Sequence, residues 1–358
     1  MNRVELAVNL QTLCLASFSP TRQNMTRDMM CAVIDAIAPV LVKLVCVPDE
    51  YIWSARTRLY ELDVVHGGWT TTTLARTSNQ IKCMCYMDDG YVVMWVDGML
   101  FRVPAKQFVD DCTRRFDDFV VDMKNNCNFR CDITSGFIPI STTRILCLNG
   151  RISLPNSKKR TETASVLIDV HDRTLTVVTK NRFKWGFSHA RLRTGEILIS
   201  YSWFSKGDKT FNAKSSIFRL GINRFCSAPG MRVARLEHAS CALPNGRIFV
   251  CGGRIKTGSL IISTPTDMCE EYDHATRTWT DVGKMTCKRA GHKCVLLPCG
   301  LVKIIGGDER ETVAGRYRFI DINATSEFYD PQTRTFEQGY DMNGYPTRFD
   351  VVPIYEDD

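Results

Sequence analysis

The chain has 358 residues, 44% of them hydrophobic and 24% charged, and a formal net charge of +7. These proportions exclude a disordered or fibrous chain, and the charge is too small by itself to point to nucleic acid. The length suits two ordinary domains or one large repetitive β domain.

Val4, Leu6, Val8 and Leu10 alternate with smaller or polar residues, the period of a half-buried strand. Glu5, Asn9 and Gln11 break the apolar core that a secretion signal would need. The most apolar window, CAVIDAIAPVLVKLVCV at 31–47, is short and carries Asp35 and Lys43, so it reads as strands and not as a membrane span. Further along, Leu62 and Trp69 stand seven apart, and DGYVVMWVDGMLFRV at 89–103 reads as a hairpin. ILCLNG at 145–150 is a strand ending in Asn-Gly; Ile168 and Leu175 are again seven apart, as are Phe218 and Phe225. HARLRTGEILIS at 189–200 fills two strands about a turn.

The clearest unit follows. RLEHASCALPNGRIFVCGG at 235–253 holds a strand, a Pro-Asn-Gly turn and a second strand ended by Gly252-Gly253; CEEYD and RTWTDV supply a third and a fourth. The order then returns. EYDHATRTWTDVGKM at 271–285 is answered by FYDPQTRTFEQGYDM at 328–342, and His238 to His292, Gly246 to Gly300 and Gly252 to Gly306 are each 54 apart. Val8 and Leu15 keep the spacing of seven, with Leu15 standing 54 before Trp69, and TRFDVVPI at 347–354 reads as a further first strand.

On these marks (the glycine doublet, the Tyr-Asp and the Trp seven residues after the Tyr) the units resemble kelch repeats, best preserved over 232–342. The resemblance implies an all-β, kelch-type β-propeller of four-stranded antiparallel blades within a single domain spanning 1–358. Six blades are expected, with seven as the alternative if both termini build a composite blade; a strand or strands within 1–17 would help close the ring. The structural positions are Trp69, Leu175, Phe225, Gly252, Gly253, Tyr272, Trp279, Gly306, Gly307, Tyr329 and Phe336. Glycine lets the backbone approach its neighbour where a side chain would clash, and the large aromatics fill the space between blades.

The sixteen cysteines lack the paired CxxC spacing of a zinc site, and Cys46, Cys147, Cys251 and Cys294 sit in apolar runs. Free thiols in a reducing compartment, the cytoplasm, are therefore expected, with no metal and no cofactor. His189, His238 and His292 occupy equivalent places in successive units, which favours packing over catalysis.

No nucleophile–base pair or phosphate-cradling loop stands out, and no BTB or F-box module is recognised. The resemblance then implies a non-enzymatic platform that binds a protein through loops at one mouth, as a recognition or decoy unit related to ubiquitin-ligase adaptors. The alternative is a carbohydrate-type enzyme, mutarotase-like or galactose-oxidase-like. The loops after the doublets offer Trp203, Arg254, Lys256, Asp308 and Arg310; those before the first strands offer Arg182, Lys184, Arg232, Arg235 and Arg289. Arginines there suit an acidic or phosphorylated segment. Residues 144–193 add eleven Lys and Arg against three acidic residues, Lys158, Lys159 and Arg160 among them. A monomer without nucleic-acid or membrane partners is expected, and the irregular early units have the texture of a fast-diverging protein of the kind a virus carries.

Overall fold

The computed structural model describes residues 41–48, 58–63, 69–73, 81–104, 121, 129–131, 135–153, 162–180, 183, 186–205, 210–257, 262–297, 300–308, 311–313, 316–318, 325–341 and 349–355, apart from 88 and 97. The strands expected within 1–40, including those of 1–17 assigned to ring closure, lie outside these residues. All regular elements among the described residues are strands.

They form six antiparallel sheets. The first has β1 (Leu41–Pro48), β2 (Arg58–Asp63) and β3 (Trp69–Thr73), with the C-terminal strand β26 (Phe349–Tyr355) along β1. The second has β4 (Ile81–Tyr86), β5 (Tyr91–Val96) and β6 (Met99–Pro104). The third runs β7 (Gly136–Pro139), β8 (Arg144–Ile152), β9 (Glu162–Asp169) and β10 (Thr174–Thr179). The fourth runs β11 (Ser188–Arg191), β12 (Ile197–Ser205), β13 (Thr210–Arg219) and β14 (Arg224–Ala228). The fifth has β15 (Ala239–Ala242), β16 (Ile248–Cys251), β18 (Ile262–Asp273) and β19 (Thr278–Arg289), with β17 (Arg254–Thr257) on the start of β18. The sixth has β20 (Lys293–Leu296), β21 (Val302–Ile305), β24 (Thr325–Asp330) and β25 (Thr335–Asp341); its link from β21 to β24 forms a small hairpin, β22 (Glu311–Val313) and β23 (Arg316–Arg318), that pairs with β18 and so joins the sheet of the fifth.

Five of the sheets are thus complete blades and the second has three strands, with Val121 donating its N–H to Leu100 O 2.8 Å away beside β6. No seventh sheet occurs among the described residues. The C-terminal strand takes the first-strand place in the first sheet, beside β1; the N-terminal part of the composite blade expected from both termini lies outside the described residues. At the hub, β26 touches β4, β4 touches β7, β11 touches β15, β15 touches β20 and β20 touches β26. Between β7 and β11 the ring is joined by a core of Ile138, Ile140, Ile197, Ile199 and Phe218. The sheets form a closed propeller ring, whose clasp is a strand pair between the two ends of the described chain.

The cores lie between blades, where each sheet buries the face it cannot bury alone. Val93 and Trp95 of the second blade pack with Ile145, Cys147, Val166 and Leu175 of the third. Leu198 and Ile217 of the fourth meet Val250, Tyr272 and Trp279 of the fifth. Between the fifth and sixth, Phe249 stacks on Tyr329 with centroids 4.3 Å apart. Each such side chain contributes on the order of 2 kcal/mol by leaving water.

The recurring interval of seven has a geometric cause. Leu62 and Trp69, Ile168 and Leu175, Phe218 and Phe225, Tyr272 and Trp279, and Tyr329 and Phe336 are all cross-strand partners across the turn joining third and fourth strands. In four of these turns the residue two before the second partner is left-handed: Arg173, Asn223, Arg277 and Arg334, with φ of 58°, 49°, 57° and 59°. The aspartate that opens the turn holds it, as Asp273 Oδ1 accepts from Ala275 N and Thr276 N, and Asp330 Oδ1 from Gln332 N.

The doublet's second glycine sits against its own blade. Gly253 has φ of 94°, and a Cβ there would lie 2.7 Å from Leu236 O and 2.9 Å from His238 Cβ. Leu236 O cannot retreat because it accepts Arg254 N at 2.7 Å. Gly98, at φ of 85°, has open space around it, with nothing within 4 Å. Alanine at Gly98 should therefore cost only the left-handed backbone, about 1–2 kcal/mol. Alanine at Gly253 adds a backbone collision, so its denaturation midpoint should fall distinctly further. Equal shifts in urea melts of the two variants would refute the close approach.

Candidate functional site

Each sheet is a meander from hub to rim. The links from second to third strand and the links from one blade to the next therefore leave from the same face, and the two tight turns of each blade leave from the other. Both loop sets picked out in the sequence fall on this one loop face.

Three second-to-third-strand links stand up from it as β arms. In the fourth blade the pairing of β12 with β13 continues from Tyr201↔Lys214 to Ser205↔Thr210, beyond the ends of β11 and β14. Five residues of strand reach about 17 Å. In the fifth, β17 and β18 pair from Arg254↔Pro265 to Thr257↔Ile262. In the sixth, β22 and β23 form the arm, and Thr312 pairs with Ser263 of the fifth. The fourth and fifth arms touch through β13 and β17. The three make one continuous raised wall.

A buried guanidinium holds the roots of two of these arms. Arg235 is fully buried; its Nη1 donates to Gly252 O at 3.0 Å and Met268 O at 2.6 Å, the points where the chain enters and leaves the fifth arm. Its Nη2 donates to Glu270 Oε1 at 2.6 Å. Glu270 also accepts Arg232 N and Val233 N, at 2.7 and 3.1 Å, which ties down the incoming link. The sixth blade repeats this. Arg289 Nη1 donates to Gly306 O at 2.9 Å and Thr325 O at 2.8 Å, and its Nε to Glu327 Oε1 at 2.9 Å. Glu327 accepts Thr286 N and Cys287 N, at 2.6 and 3.2 Å. A paired charge with every neighbour hydrogen-bonded is tolerable inside a protein; removing one partner costs about 3–5 kcal/mol.

A second polar chain crosses the seam between the fifth and sixth blades. Arg254 Nε donates to Glu237 Oε2 at 2.9 Å, and its Nη2 pairs with Asp308. Arg254 and Asp308 are repeat equivalents, so one doublet is followed by a cation and the next by its counter-ion. Glu237 belongs to a ring of backbone bonds: its N–H donates to Gly186 O and its own carbonyl accepts Gly291 N, both at 2.9 Å. All three residues are left-handed, with φ of 77°, 55° and 69°, yet only Glu237 has a side chain. That strain is offset by its ion pair with Arg254.

The expected binding residues therefore separate. Arg235, Arg254, Arg289 and Asp308 are buried and engaged within the chain, so the reading of them as partner contacts is corrected: their loops are exposed in sequence but their side chains fold inward to hold the arm roots. Trp203 stands on the fourth arm at 38% exposure, with Lys214 Nζ 5.8 Å from its ring centroid. Arg232 is exposed beside the root of the fifth arm, and Lys256 lies half-buried on that arm. Arg182, Lys184 and Arg310 lie outside the described residues, as does the basic triplet Lys158, Lys159 and Arg160. The carboxylates Glu270, Glu327 and Glu237 were missed. The first two could have been found as the glutamate two before each repeat tyrosine, partnered by an arginine 54 residues from its equivalent.

His238 and His292, each just before its first strand, are packing residues here, whereas His189, expected as a third equivalent, lies within β11 opposite Ile199 and occupies a different place. His238 Nε2 lies 2.8 Å from Ser200 Oγ of the preceding blade, and His292 Nε2 lies 3.3 Å from Cys251 Sγ. No group of three or more His, Cys, Asp or Glu that could hold a metal ion occurs among the described residues. No helix among them is long and apolar enough to cross a membrane.

Residues 235–286 match the family model described as the Kelch motif, which covers the fifth blade from Arg235 to within three residues of the end of β19. No curated protein matches the chain.

Burial, reinforced by Arg235, lowers the pKa of His238 to about 3, and burial with Arg289 beside it lowers that of His292 well below the ordinary value. Both rings are neutral in the folded chain and take up protons near pH 6.5 on unfolding. Stability from this source is complete above pH about 6.5 and is lost as pH falls toward 3, at no more than about 1.4 kcal/mol per pH unit for each ring. Urea midpoints should drop between pH 7.5 and 5, and less so in His238→Gln. A wild-type midpoint unchanged over that range would contradict the neutral assignment.

Proposed function

We propose that this kelch-repeat β-propeller is a protein-binding platform whose contact surface is the wall of arms on the loop face. The observation that carries the reading is Trp203: a large aromatic held in the open on a paired strand, braced by Lys214, at a height the blades do not reach. Tryptophan so placed is the residue type that most often dominates a protein interface. A rigid arm also orders in advance what a flexible loop would have to order on binding.

The charge of the wall supports an acidic partner. The fourth and fifth arms, residues 201–214 and 254–265, hold five Lys and Arg against one Asp. Arg254 is committed internally, and Lys214, exposed on the fourth arm, is placed to meet carboxylates or phosphates. Such contacts steer encounter and weaken with salt. Service as a recognition or decoy unit beside a ubiquitin ligase, and action in the cytoplasm or on host proteins, belong to this proposal as the roles a stand-alone platform suits.

The turn face provides an internal control. Ile222, in the turn after β13, is 58% exposed and lies on the opposite side. Affinity capture with the intact chain, Trp203→Ala and Ile222→Ala should recover binding proteins with the first and third and lose them with the second. For a recovered protein the affinity loss at Trp203→Ala should be about tenfold or more, with the urea midpoint nearly unchanged. Capture unaffected by Trp203→Ala, or lost only with Ile222→Ala, rejects the assignment. Turnover of a sugar by the intact chain, with no protein recovered, would favour the carbohydrate-enzyme reading.

A further inference from the structure

The seam between the fifth and sixth blades concentrates thiols at its hub end. β15 and β20, the first strands of the two blades, lie against each other, and Cys241 on one and Cys294 on the other pack on the same core, over buried Cys251 and Cys269. Cys294 shares that core with Cys241, across the contact between the two first strands, and with Cys251. Cys251 Sγ is in turn 3.3 Å from His292 Nε2. All four cysteines are free thiols. The two on the first strands are half-buried, and Cys251 and Cys269 are wholly buried.

We propose that Cys241 and Cys294 are a thiol–disulfide exchange site, which a low-molecular-weight disulfide oxidises to a covalent bridge between the fifth and sixth blades. The two halves of the reaction fall to different residues. Its neighbours Cys241 and then Cys251, with Lys293 adjacent, hold the Cys294 thiol below its ordinary value, which makes it the readier nucleophile of the pair. It attacks one sulfur of the small disulfide, whose S–S bond breaks; one thiolate leaves and Cys294 carries a mixed disulfide. Cys241 then passes its proton to solvent and attacks Cys294 Sγ, expelling the second small thiolate. Two protein thiols are oxidised and one reagent disulfide is reduced to two thiols. Cys241 is the resolving partner because its own thiol is pushed up by its neighbour Cys294 and by burial. Cys251 is enclosed and its thiol is raised by burial, which leaves it a neighbour and not a reactant.

The bridge would join first strands 53 positions apart in sequence, directly beneath the seam that Arg254 and Asp308 cross. Its effect would be to fix the two blades whose arms are hydrogen-bonded to one another.

The test uses the intact chain and 2-hydroxyethyl disulfide as the oxidant. Reaction should remove two titratable thiols at this site. Tryptic mapping should show peptide 236–247 joined to peptide 294–303, with fragmentation placing the link on Cys294 and not on Cys299. Cys241→Ser should stop the reaction at a stable mercaptoethanol adduct on Cys294, and Cys294→Ser should give neither adduct nor link. Mapping of the unsubstituted chain decides the matter even where a variant folds poorly. Absence of the 241–294 link, a bridge to Cys251 instead, or reaction confined to other cysteines would overturn the proposal.

Discussion

The loop face depends on a guanidinium placed where water cannot reach it. Arg235 and Arg289 each bind the two carbonyls at which an arm leaves and rejoins its blade, and each is neutralised by a glutamate two residues before a repeat tyrosine. The geometry requires arginine. Only a planar fork with several fixed donors can reach two carbonyls and a carboxylate together, and lysine offers a single point of charge. The same glutamates gather two backbone N–H groups from the incoming link, so one ion pair sets the position of both loop types on that face.

This explains why the fifth and sixth blades are the most regular in sequence and the fourth is less so. The fourth lacks the pair: the position equivalent to Arg235 is Lys184, and that equivalent to Glu270 is Ser216. Its arm relies instead on a longer strand pairing, from Tyr201 to Ser205. Its Ser202 Oγ accepts Arg235 N at 2.9 Å, so the buried arginine of one blade is itself oriented by the arm of the blade before it. The fourth and fifth arms are thereby coupled without a shared sheet, whereas the fifth and sixth are joined by strand pairing.

Much of the fold was legible in the chain because the repeat spells a geometry. An interval of seven between aromatics reports a four-residue turn with a fixed cross-strand pair, and that interval survives in Leu62 and Trp69 where the glycine doublet is gone. The C-terminal strand was legible for the same reason. The site was legible only in part. Sequence places Arg235, Arg254, Arg289 and Asp308 in loops, and loops are ordinarily exposed. What the sequence does not display is that each has a counter-charge 17 to 54 residues away, which turns its side chain inward. Trp203 needed no such partner, and its exposure could be anticipated from its place on a long hairpin. Glu237 was invisible as a structural residue because its equivalents, Gly186 and Gly291, have no side chain to compare.

Amide hydrogen exchange on Arg235→Lys tests the clamp most directly. The substitution keeps the charge and removes the fork. Loss of charge-assisted hydrogen bonds worth about 1.5–3 kcal/mol should speed exchange by about tenfold or more at the arm roots, residues 252–257 and 262–268. The turn at 273–277 and the sheets of the second and third blades should exchange as before. Exchange unchanged at the roots, or accelerated uniformly around the ring, would contradict the account.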